Sequence, residues 1–173
     1  MRPIGWLLPV AAIFSSFFLS SIDAAEMGMG FKIGEVTHDS AIIWTRVTRE
    51  SERTWDGYRE PKKREPKSAK YIPSNVDVDT RDGESRGAVG QVRVLYSKNK
   101  DLSDAQSTEW ITVKAENDFV HQFHLSSLQS TTTYHVRVEV RDVGEQETAA
   151  QATGSFGTPA PASDWQDVLF TVV

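Results

Sequence analysis

The stretch Leu128-Gln129-Ser130-Thr131-Thr132-Thr133-Tyr134-His135-Val136-Arg137-Val138-Glu139-Val140-Arg141-Asp142 decides the fold. From Thr133 onward, Tyr134, Val136, Val138 and Val140 alternate with His135, Arg137, Glu139 and Arg141. Successive side chains of a strand point to opposite faces, so this period of two demands one buried face and one wet face. An amphipathic helix would instead place its apolar residues three and four apart. Tyr134, Val136 and Val138 are therefore expected in a hydrophobic core.

Working outward, six more short runs carry the same alternation: 29–36, 40–47, 89–97, 110–115, 119–126 and 149–157. Polar turns separate them, among them Thr37-His38-Asp39 and Lys98 to Ala105. Short side chains such as Asp39 and Ser40 suit turns because they hydrogen-bond nearby backbone. Together with the run at Thr133 these make seven strands, the number expected of an all-β, immunoglobulin-like or fibronectin type III-like antiparallel β-sandwich. Local alternation alone does not separate a sandwich from a barrel.

Leu128 to Tyr134 bears on that choice, because it resembles the fibronectin type III pattern Leu-x-Pro-x-Thr-x-Tyr, with Ser130 in the place of proline. In such a corner the tyrosine ring fills the core while its hydroxyl reaches back to the turn backbone. Leu128 and Tyr134 are read as structural residues on that resemblance. Trp44, on an early strand, is expected to be a core tryptophan. An exposed aromatic platform is the competing reading of Tyr134, and the alternation argues against it.

The chain has 173 residues, 39% of them hydrophobic and 25% charged, which suits one packed domain. A formal charge of -5 gives no reason to expect nucleic acid, which needs a clustered positive surface. Cysteine is absent, so disulfides, thiolate catalysis and Cys-ligated zinc are excluded. Residues 1–25 read as a secretory signal peptide: Arg2, an apolar stretch through Leu19, then small residues up to Ala24 and Ala25. The apolar stretch contains Pro9 and is shorter than the roughly 20 residues a spanning helix requires. An exported protein in the periplasm, on the cell surface or outside the cell is expected, with no membrane association after cleavage near Ala24 or Ala25.

Alternation disappears from 49 to 87, too long for an ordinary connection, so this segment reads as an inserted loop in a sandwich spanning 26–157. Lys62, Lys63, Arg64 and Lys67 lie in a cationic part of the loop that could contact an anion. Asp77, Asp79, Asp82 and Glu84 offset that charge, and a self-neutralising polyampholyte is the plainer reading. Asp77 to Glu84 fails as a calcium loop, since Arg81 and Asp82 stand where a ligand and a glycine belong. His121 and His124, three apart in a strand, point to opposite faces. No Ser/His/Asp set, phosphate-cradling glycine loop or HExxH motif is visible, so neither catalytic nor cofactor residues are assigned.

Pro159 and Pro161 mark a stiff linker over 158–163. The following 164–173 is nearly continuous in apolar residues and reads as the first strand of another domain, cut short. Gly30-Phe31-Lys32-Ile33-Gly34 through Ser40-Ala41-Ile42-Ile43-Trp44-Thr45-Arg46 resembles the opening of alkaline phosphatase D (PhoD)-type phosphodiesterases. Gly87 to Tyr96, the Leu128 to Tyr134 corner, Phe156 to Pro161 and Val168 to Val173 follow in the order this resemblance implies. It implies a non-catalytic N-terminal accessory domain, with a metallophosphoesterase domain as its partner in cis. It also implies iron and calcium as cofactors of that missing domain, and no catalysis by this chain. The alternative is a free-standing exported β-sandwich serving as a binding or adhesion module.

Overall fold

The computed structural model describes residues 24–58 and 77–164. Lys62, Lys63, Arg64 and Lys67 lie outside them, as do residues 1–23 of the expected signal peptide and the run after Asp164. The strands are β1 (Phe31–Gly34), β2 (Ala41–Arg46), β3 (Gly90–Ser97), β4 (Gln106–Ser107), β5 (Ile111–Val113), β6 (Val120–Leu125), β7 (Thr133–Arg141) and β8 (Ala150–Gly157). Helical structure among the described residues is confined to two 3-10 turns, Val78–Thr80 and Ala115–Asn117.

The strands form two antiparallel sheets, one ordered β1-β2-β6 and one ordered β4-β3-β7-β8, with β5 also on β3. Ala41, Ile43, Phe123 and Leu125 of the first sheet share a single core with Val92, Val94, Val136, Val138 and Val140 of the second. This is an antiparallel β-sandwich, the expected fold class. Each fully buried valine contributes about 1.5–3 kcal/mol relative to exposure. Leu128, Tyr134, Val136 and Val138 are all buried.

Trp44 corrects its expected place. The inward phase of β2 is Ala41, Ile43 and Thr45, which leaves Trp44 half-buried on the outer face. Its cross-strand neighbours there are Lys32 on β1 and Gln122 on β6. Ala41-Ile42-Ile43-Trp44 is apolar at four successive positions, so sequence alone does not set which alternate pair faces inward.

Two further features lie outside the alternating runs. Strand β4, two exposed residues long, is too short to carry a periodic signal. Contacts of the sandwich continue past Gly157: Thr158 is buried and bonded to the preceding corner.

Candidate functional site

The corner around Tyr134 governs where the chain leaves the sandwich. The Tyr134 ring stacks on Phe156 at 5.6 Å, and its hydroxyl accepts the Gln129 N–H at 2.8 Å. Against this turn, Thr158 N–H donates to the Thr132 carbonyl at 3.0 Å. The Thr158 hydroxyl donates to the Gln129 carbonyl at 2.6 Å and accepts the Thr132 N–H at 3.0 Å. Thr131 N–H then donates to the Pro159 carbonyl at 3.2 Å. A hydroxyl has one proton and two lone pairs, and here both functions serve the backbone. The result is a clamp that fixes the direction in which the chain leaves β8.

The inserted loop has an ordered stem. Arg49 N–H donates to the Arg86 carbonyl at 2.8 Å, and Thr54 N–H to the Glu84 carbonyl at 2.7 Å. Further out, Tyr58 N–H bonds the Thr80 carbonyl at 2.9 Å and Asp82 N–H bonds the Tyr58 carbonyl at 3.0 Å. Arg46 fastens this stem to the outer face of β2. Its Nη2 lies 2.9 Å from Asp118 Oδ1, its Nε donates to the Asp118 carbonyl at 3.1 Å, and Nη1 donates to the Ser85 carbonyl. Five donors in a planar fork make arginine suited to joining three segments at once. Trp44, Met29 and Glu84 line the depression around it. On the stem, Trp55 and Tyr58 are exposed, with the Arg53 guanidinium 3.7 Å above the Trp55 ring.

On the outer face of the second sheet, Trp110 receives two arginines, Arg93 at 4.5 Å and Arg141 at 4.1 Å from its ring centroid. Arg93 Nε donates to Glu139 Oε2 at 2.8 Å. Arg137 Nε lies 2.8 Å from Glu139 Oε1 as an ion contact. Glu139 is only 4% exposed, so its charge is matched by these neighbours rather than by water. The face His135, Arg137, Glu139 and Arg141 is therefore less wet than its composition suggests, because these side chains cover one another.

Residues 15–160 match the family described as PhoD-like phosphatase, N-terminal domain. The chain belongs to that family. Among solved structures it is similar to that of PhoD, with 16% identity and a TM-score of 0.48, covering 78% of this chain and 20% of that one. The chain thus spans about a fifth of that protein's structure. A computationally redesigned β-sandwich protein aligns at 14% identity and a TM-score of 0.44, covering 78% of this chain and 95% of that one. A fibronectin type III domain from the human KIAA0970 protein aligns at 12% identity and a TM-score of 0.39, covering 83% and 82%. No curated protein matches the chain.

Within this PhoD-like N-terminal domain, Leu128 and Tyr134 meet at the chain-exit corner, whereas Val136 and Val138 lie deeper between the sheets. Trp44 belongs to neither place. His121 faces inward against Phe123, ring centroids 4.5 Å apart, while His124 is exposed. Burial, reinforced by the neighbouring His124 charge, lowers the His121 pKa from its ordinary value of 6.5. Among the described residues, no group of three or more His, Asp or Glu is placed to hold a metal ion. No helix among them is long and apolar enough to cross a membrane. Thr158 and Arg46 carried weak sequence signals: a threonine before a proline, and an arginine at the end of a strand.

Proposed function

We propose that this domain is exported and acts in cis, positioning a metal-dependent phosphoesterase domain that follows it in the chain. The observation that carries the reading is the Thr158 clamp. Buried hydrogen bonds hold Thr158 and Pro159 to the Tyr134 corner, so a following domain would start from a fixed point and direction. A free linker would not do this, and scaffolds position function best through rigid elements. Membership of the family of PhoD-like phosphatase N-terminal domains supports this reading of the partner. In this reading iron and calcium belong to the following domain. There they would polarise phosphate oxygens and activate the attacking oxygen. Export rests on the basic, apolar and small-residue order of the first 25 residues.

Reading the coding sequence beyond Val173 tests the proposal. A metallophosphoesterase frame continuing from Val173 is expected. A stop codon there, with no such frame downstream, overturns it.

A second reading is favoured by the stem, where Trp55 and Tyr58 are exposed on hydrogen-bonded backbone. Aromatic side chains held at low entropy cost suit a binding surface. A free-standing module of this kind would bind a wall polymer or protein partner through the stem. Trp55→Ala would then abolish binding without lowering the melting temperature.

A further inference from the structure

We propose that the mature chain begins at Ala25, released by hydrolysis of the Ala24–Ala25 peptide bond, and that its new α-ammonium group is held by the carboxylate of Asp142. The inference rests on the export reading above and fixes the position of cleavage, which small residues alone leave between Ala24 and Ala25.

Burial changes abruptly at this bond. Ala24 is exposed, whereas Ala25 is 0% exposed and belongs to the hydrophobic core. The fold makes room for that methyl group: a Cβ at Gly90, buried in β3, would come within 2.9 Å of the Ala25 Cβ and 3.1 Å of Val47 Cγ1. Such an approach is too close for two carbons, so glycine at 90 leaves the space that the Ala25 methyl fills. The next residue is secured as well, with Glu26 N–H donating to the Thr48 carbonyl at 2.8 Å and Thr48 N–H returning to the Glu26 carbonyl at 2.9 Å. Cleavage one residue later would discard the core methyl and leave a cavity against Gly90.

Electrostatics point to the same bond. The nitrogen of Ala25 donates to Asp142 Oδ1 at 2.8 Å in a part-buried setting. Among the described residues no Lys, Arg or His forms an ion pair with Asp142. A peptide N–H satisfies one lone pair of that carboxylate and none of its charge. Hydrolysis at Ala24–Ala25 takes up one water, leaving a carboxylate on Ala24 and an ammonium on Ala25. The carboxylate, already an ionised acceptor, then faces an ionised donor, so the hydrogen bond becomes an ion pair at the same atoms. Cleavage here also leaves Ala24 and Ile22 one and three residues before the cut, both uncharged. Cleavage after Ala25 would place Asp23 at the third position.

The test is to express residues 1–173 in an exporting bacterial host and determine the intact mass and first residue of the exported protein. Ala25 as first residue is expected. Any other first residue in an exported, shortened product overturns this proposal and leaves the export reading standing. An intact chain retained in the cytoplasm overturns both. A second measurement isolates the ion pair. Asp142→Asn should lower the melting temperature of a chain starting at Ala25 by several degrees more than it lowers that of a chain with a few residues ahead of Ala25. Equal shifts overturn the pairing.

Discussion

The hydroxyl of Tyr134 reaches back five residues to accept the backbone N–H of Gln129 at 2.8 Å. That bond ties the start of β7 to the turn before it, while the ring remains buried against Phe156. Tyr134→Phe keeps the ring and removes the acceptor. A part-buried N–H left without its partner costs about 1–3 kcal/mol. Urea denaturation should give a loss in that range with an unchanged dependence on denaturant, since the surface exposed on unfolding stays the same.

Thr158→Val replaces a hydroxyl by a methyl of similar size. It strands both the Gln129 carbonyl and the Thr132 N–H, and should destabilise by about 1–3 kcal/mol. Thr158→Ser retains both bonds and should cost under about 1 kcal/mol. If the two variants melt together, the clamp is not held by the hydroxyl.

Gly87 faces the ring of Phe119 so closely that a Cβ there would overlap it. Phe119 has a φ of 57° and follows Asp118, whose φ is 49°, so the turn holding the ring has little freedom to yield. Gly87→Ala should destabilise by about 1–3 kcal/mol through overpacking. A thermal melt within a degree of the parent would show that the turn yields.

Arg46→Ala removes the bonds to Asp118 and Ser85 that fasten the stem to β2. The exposed pair with Asp118 contributes about 0.2–1 kcal/mol, so the effect is local. Faster amide exchange is expected at Arg49, Thr54, Tyr58, Asp82 and Gly83, with little change in β7. Uniform acceleration across the sandwich would contradict a local role.

His121 sets an acid sensitivity. Burial first, and the His124 charge second, lower its folded pKa below 6.5. Above pH 6.5 the imidazole is neutral in both states, and its full contribution to stability is present. As pH falls below 6.5 the unfolded chain takes up the proton first, so stability declines until the folded pKa is passed. His121→Gln should flatten this part of the stability profile. An unchanged slope would assign the acid sensitivity to other groups.

The strand-rich character of the chain was legible because valines repeat at alternate positions of β7, and the corner because a tyrosine lies six residues after Leu128. The outward place of Trp44 is not legible, since an unbroken apolar run on β2 contains no information about phase. The stem was hidden because its backbone hydrogen bonds join 49–58 to 77–87 without any side-chain period. Thr158 looked like linker, as a hydroxyl's partners depend on how the chain returns in space. Asp142 carries no sequence signal for the same reason: Ala25 lies 117 residues away.

Ala25 and Thr158 sit at opposite poles of the sandwich. Ala25 meets Asp142 just beyond the end of β7, and Thr158 meets Thr132 just before its start. Nine residues of β7 separate these poles by about 30 Å. Tension applied between them runs parallel to the strands and draws β8 lengthwise along β7. The β7–β8 ladder, from Thr133–Gly157 to Val140–Ala150, lies along that direction and would bear such a load in shear. The described chain therefore enters and leaves the sandwich at opposite ends of one strand.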